Sequence, residues 1–221
     1  GARRTAATRA RARHARAGRW RVVAGPDVVV RRVGDRTWEL PVDAFWQAHR
    51  SAAGHYSELV RAAVASAAVP AEPVVWDLYG GAGLFAGAAL DAAPGARVTI
   101  VESAGASLGA AARALGGGDR VRTVGARAER FRDDGGSHGA APDVVVLDPP
   151  RGGAGVDVMT RIGALRPSRI VHVGCDPASL ARDVGVLVSS GWRLADLRGV
   201  AAFPGTHHVE GLAVLDAPPS G

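Results

Sequence analysis

Val74 to Leu90 reads VVWDLYGGAGLFAGAAL, and its three parts change character in turn. Val74–Leu78 is a short, mostly apolar run with the length and β-branching of a buried strand. Tyr79-Gly80-Gly81-Ala82-Gly83 follows as a glycine-rich turn, and Leu84 to Leu90 continues as an apolar helix. Strand, glycine turn and helix together make the opening unit of a doubly wound α/β sheet. Glycines at Gly81 and Gly83 let the backbone approach a ligand at the carboxyl edge of the strand.

Outward from this unit the pattern repeats. ARVTIVE (96–102) reads as a second strand and SLGAAARAL (107–115) as its helix. DRVRTVGA (119–126) reads as a third strand and PDVVVLDPPRGGAG (142–155) as a fourth that ends in a sharp Asp-Pro-Pro turn. SRIVHVGC (168–175) is the fifth, followed by a helix that runs through Ser190 and stops at Gly191. WRLADLRGVAAF (192–203) and HHVEGLAVLD (207–216) close the chain as a final pair. Upstream, VVVRRVGDRTWELPV (28–42) is two β-type runs about Gly34-Asp35, a hairpin pattern. The spacing then predicts a helix from His49 to about Ala67, with Leu59, Val60, Ala63 and Val64 on one face. Phe45 and Trp46 stand at its entrance, where a hydrophobic staple would sit. The loops at 116–119 and 132–141 are Gly- and Asp-rich surface connections.

Bulk composition narrows the classes. A chain of 221 residues, 47% hydrophobic and 22% charged, suits one large globular domain. A single cysteine excludes a disulfide framework and a cysteine-built metal site, and fits a reducing compartment. No apolar run reaches 18 residues, so no membrane span is expected. All 27 basic residues are arginine; eight fall within residues 1–21, which hold no acid, leaving 19 against 21 acids in the remainder. Residues 1–20 therefore read as an Arg-rich flexible segment or a cut linker, suited to a polyanion or simply to water. With no initiator Met, the chain reads as a piece of a longer protein.

The only cysteine, Cys175, lies between the fifth strand and a helix announced by Asp176 at the N-cap and Pro177 at the first helical position. Unpaired N–H groups at that helix start are expected to lower the thiol's pKa and favour a nucleophilic thiolate; the alternative is a small buried hydrophobe. Glu102 ends the second strand 19 residues past Gly83, where a carboxylate accepts from a ribose diol. NAD and S-adenosylmethionine both carry that ribose, and Glu102 could instead serve the N-terminus of the next helix. The fourth strand chooses between cofactors. A dehydrogenase has no need of Asp148-Pro149-Pro150-Arg151, whereas many methyltransferases acting on bases carry an acid or amide followed by prolines there. Those prolines stiffen the rim and remove N–H donors.

Taken together, these stretches resemble the RNA uracil-5-methyltransferase family, which methylates C5 of uridine in tRNA or rRNA with S-adenosylmethionine. FWQ (45–47), DLYGGAGLF (77–85), LDPPRGGAG (147–155), GCDPASLARD (174–183) and FPGTHHVE (203–210) match five of its motifs in order. His49 replaces a frequent Asn, Leu84 replaces a polar residue of the glycine loop, and the cysteines of the iron–sulfur members are absent. The family's N-terminal RNA-binding domain is not recognisable, and residues 21–44 resemble a remnant of its central β-region.

The resemblance implies a Rossmann-like class I methyltransferase over residues 45–216, a mostly parallel doubly wound sheet with an antiparallel last strand, and a tail at 217–221. It implies Cys175 as the nucleophile that adds to C6 of the uracil and Glu210 as the base that removes the C5 proton. It implies cofactor contacts from Gln47, Tyr79, Gly81, Gly83, Glu102 and Asp148, the last lying between base and cofactor. RNA is the implied partner, its target base flipped or looped out, and the setting is a cytoplasmic monomer with no membrane. A catalytically silent RNA-binding relative, or a methyltransferase of another substrate, are the alternatives. His207 and His208 alternate faces in a strand, and without acid or thiol partners they make no zinc site.

Overall fold

The computed structural model describes residues 23–132, 141–203, 205–206 and 209–219. Its centre is a seven-stranded sheet of β3 (Val74–Leu78), β4 (Arg97–Glu102), β5 (Val121–Gly125), β6 (Val144–Leu147), β7 (Arg169–Gly174), β8 (Arg193–Val200) and β9 (Glu210–Asp216). Their spatial order is β5-β4-β3-β6-β7-β9-β8. The first five strands of that order pair in parallel, while β9 runs antiparallel between β7 and β8. This is the expected Rossmann-like sheet. Strand order reverses beside β3, and in such sheets the crevice at the carboxyl edge of that point receives ligands.

Helices cover both faces, which is why the central strands are apolar throughout and not alternating. On one face α1 (Ala52–Ala65), α2 (Leu84–Ala92) and α3 (Gly105–Leu115) enclose Val75, Val98, Ile100, Val146 and Val173. On the other, α4 (Val156–Ala164) and α5 (Pro177–Val188) enclose Trp76, Leu78, Val145, Leu147 and Ile170. Among the described residues no helix is long and apolar enough to cross a membrane.

The N-terminal hairpin forms as the pattern predicts: β1 (Val28–Val33) pairs with β2 (Arg36–Pro41) about a two-residue turn, with Gly34 at φ +55. It is anchored on the sheet domain. Trp38 is buried, and its indole N–H donates to the carbonyl of Ala82 at 2.9 Å, inside the glycine turn. The Arg36 guanidinium grips Asp91 of α2 through two nitrogens.

Three local expectations are corrected. The helix expected over His49–Ala67 spans Ala52–Ala65, because residues 49–51 form a turn before it and Ser66 closes it. Phe45 does not staple that helix: it is 71% exposed, and Trp46 packs on Trp38 instead, ring centroids 5.5 Å apart. Helix α4 was not expected at all. Only nine residues long, it has just Val158, Met159 and Ile162 to mark its buried face, behind a glycine-rich loop.

Candidate active site

The carboxyl edge carries two groups of side chains. The first surrounds the glycine turn. Gly81 (φ +53) and Gly83 (φ +77) take left-handed conformations that favour glycine. A Cβ on Gly81 would meet nothing within 4 Å, so that backbone faces open space; on Gly83 it would press on Leu115 and Ile100. Glu102 accepts from the Gly81 N–H at 3.2 Å through one oxygen and from the Ala104 N–H at 2.7 Å through the other. It therefore does both things the sequence left open, bracing the turn and serving the start of α3. Tyr79 closes β3 at φ +60, an uncommon conformation for an aromatic residue, and packs partly against the α4–α5 side.

Beneath the turn sits Asp77, which sequence reasoning passed over. It is 0% exposed, and its Oδ2 accepts from the Ala86 N–H at 2.9 Å in the first turn of α2. Burial raises its pKa to about 7, with Glu102 adding to the rise and the Ala86 bond opposing it. A polar residue inside an apolar strand was the available signal.

The second group gathers around the cysteine. Asp176 caps α5 as expected, accepting from the Ser179 N–H at 2.8 Å, with Pro177 at the helix start. Cys175 thus stands between β7 and α5, half-buried. In the β7–β9 ladder Gly174 pairs with Gly211, so Cys175 and Glu210 are the next residues beyond that pair, at the same edge. A side chain on either glycine would run into Leu180, whose packing over them draws α5 close to the sheet. Asp148, at the end of β6, and Tyr56, from α1, complete the group.

Electrostatics here correct one expectation. The helix start does not leave the Cys175 thiol with a lowered pKa. Burial pushes it up, the carboxylates of Asp148 and Glu210 push it further, and Arg151 with a backbone N–H only partly offset them. Asp148, half-buried, is raised to about 8 by desolvation and by Glu210 and Asp77. Tyr56 is raised strongly by burial and next by Glu210. Acidic groups pressed together with a thiol, several with displaced pKa values, are what a proton-handling site requires.

A third arrangement joins the two motif loops. The Asp183 carboxylate on α5, fully buried, accepts from the Ala154 N–H at 2.6 Å, the Gly155 N–H at 3.2 Å and the His172 ring at 3.2 Å. Burial opposes its ionisation, yet these partners hold its pKa below the usual carboxylate range. The loop after Pro150 is thereby fastened to the helix that follows Cys175.

Of the expected site residues, Cys175, Glu210 and Asp148 meet at one place, and Gly81, Gly83 and Glu102 at another beside it. Gln47 lies half-buried on the connection before α1, tied to neither group. His207 and His208 fall outside the described residues. Among the described residues no cluster of three His, Cys, Asp or Glu could hold a metal.

No protein-family model matches the chain. An RNA methyltransferase of Corynebacterium glutamicum, itself uncharacterized, is 41% identical over 199 residues, 88% of this chain and 47% of its own length. Among solved structures, the tRNA (uracil-54, C5)-methyltransferase of Pyrococcus abyssi in complex with S-adenosyl-L-homocysteine superimposes with a TM-score of 0.71 at 25% identity. That match covers 87% of this chain and 45% of the other. The fold is that of the Rossmann-like methyltransferases. A SAM-dependent methyltransferase of Agrobacterium tumefaciens shares this methyltransferase fold, with a TM-score of 0.64 at 17% identity over 90% of this chain and 74% of its own. The chain spans about half the length of the curated relatives it matches.

Proposed function

We propose that this chain is the catalytic portion of an S-adenosylmethionine-dependent RNA methyltransferase that methylates C5 of a uridine in tRNA or rRNA. One observation carries the reading: the Gly174–Gly211 pairing sets the only thiol and a buried carboxylate side by side at the carboxyl edge. The names of the similar proteins support the RNA substrate and the cofactor.

The open backbone at Gly81 and the Glu102 carboxylate fit the ribose side of S-adenosylmethionine, with Tyr79, Gln47 and Asp148 as further contacts. Bound there, S-adenosylmethionine supplies an electrophilic methyl group to C5 and leaves as S-adenosylhomocysteine. The protein's own work lies on either side of that transfer. Uracil C5 is a weak nucleophile, so the Cys175 thiolate adds to C6 and the C5=C6 electron pair passes into an enolate. Once C5 carries the methyl, Glu210 takes its proton. The C–H pair restores C5=C6, and the C6–Sγ bond breaks with its pair returning to sulfur. A raised thiol pKa means that Cys175 must shed its proton when substrate is present; Arg151, the one side chain that favours the thiolate, flanks it. We read the protein as a cytoplasmic monomer.

The test uses RNA, labelled cofactor and two variants of the full-length protein. Cys175→Ala should give neither adduct nor methylated uridine. Glu210→Gln should still add and receive methyl but stall before elimination, leaving a denaturant-resistant protein–RNA band on a gel. Normal turnover in Glu210→Gln would remove it from the mechanism, and product from Cys175→Ala would end the covalent reading.

A further inference from the structure

Tyr56 has no part in the chemistry above, yet its placement is costly. It lies on the inner face of α1, 1% exposed, and its hydroxyl oxygen is buried without a hydrogen-bond partner. A buried phenol ordinarily finds an acceptor. A second unpaired atom belongs to the same cluster: Oε2 of Glu210, on a side chain only 7% exposed. Glu210 is the neighbouring group that acts most on Tyr56, ahead of Asp148 and Cys175. One buried donor and one buried acceptor thus lie together between α1 and β9, near enough for Glu210 to act on Tyr56 through a side-chain hydrogen bond.

We infer that Tyr56 is a positioning residue for Glu210: its hydroxyl donates to Oε2 and keeps the carboxylate aimed at C5 of the substrate. This rests on Glu210 being the base. An O–H donor to an ionised carboxylate makes a short, directional bond, which fixes the orientation of the other oxygen. When Glu210 receives the C5 proton, Tyr56 keeps its own.

Two measurements on the full-length protein test the inference. The chain has two tyrosines, so labelling at 13Cζ gives two assignable resonances, Tyr56 being the one lost in Tyr56→Phe. Glu210→Gln should move the Tyr56 resonance and leave Tyr79 in place; an unmoved Tyr56 resonance overturns the contact, with or without turnover. In single-turnover reactions with RNA, Tyr56→Phe should form the covalent adduct at the parental rate and resolve it about tenfold more slowly, the scale of one hydrogen bond to a charged group. Parental resolution, or equal slowing of both steps, overturns the positioning role. Should Glu210→Gln trap no adduct, the assignment of the base has failed, and the resonance still decides whether the two side chains meet.

Discussion

Replacing Asp183 by Asn tests whether the two motif loops are held as one unit. The carboxylate accepts three donors in a fully buried place, two of them backbone N–H groups of the loop at 154–155. Asn keeps the shape but offers one acceptor oxygen, and turns an amide NH2 toward groups that already donate. Losing one charge-assisted bond and leaving a buried donor unpaired costs about 3 kcal/mol. In a chain of this length that lowers Tm by roughly 6–12 °C. Thermal unfolding followed by circular dichroism at neutral pH reads it directly. The pH dependence gives an internal check. With a folded pKa below its unfolded value, Asp183 contributes stability above about pH 4, and that contribution is lost as pH falls through the folded value. The gap between parent and Asp183→Asn should therefore close in acid. A variant melting within about 2 °C of the parent, by the same scale, would refute the reasoning.

Glu102→Ala should weaken S-adenosylmethionine binding by about 1.5–3 kcal/mol, roughly 10- to 150-fold, by isothermal calorimetry. Tight NAD binding with none of S-adenosylmethionine would overturn the cofactor assignment. Asp77, raised to about 7, lowers stability as pH climbs from about 4 through 7, since the folded state holds its proton more tightly. Asp77→Asn should remove a slope of up to about 1 kcal/mol per pH unit there, read by urea titration at several pH values; an unchanged slope would count against its burial as the cause. Deleting residues 1–19, with seven arginines, should flatten the salt dependence of RNA affinity, and an unaltered slope would make the segment a linker.

The sheet was legible because its strands are buried on both faces and stand as bare apolar runs; Val144–Leu147 admits no other reading so easily. The Asp176-Pro177 helix start was equally plain, since capping chemistry is local. What stayed hidden depends on partners far along the chain. Tyr56 looks like any apolar position on an amphipathic helix until β9 brings Glu210 to it. Asp183 looks like a solvent acid in the middle of a helix, and only folding places 154–155 against it. The thiol's raised pKa is the sharpest case: the helix start favouring a thiolate is written in the sequence, but Asp148 arrives from 27 positions upstream and Glu210 from 35 downstream.

Strand β9 has a consequence for the order in which the protein can be assembled. Strand β8 touches the sheet only through β9, which comes after it in the chain. While the ribosome is still making residues 201–216, β8 has no partner and the edge of β7 stands open. The thiol already rests in its strand-to-helix turn, but its companion carboxylate does not yet exist. Since domains complete themselves as their last segments emerge, β9 closes this part of the sheet after β8 has been made. Until it slides between its neighbours, Cys175 stands at the sheet edge without the carboxylate that the finished ladder sets beside it.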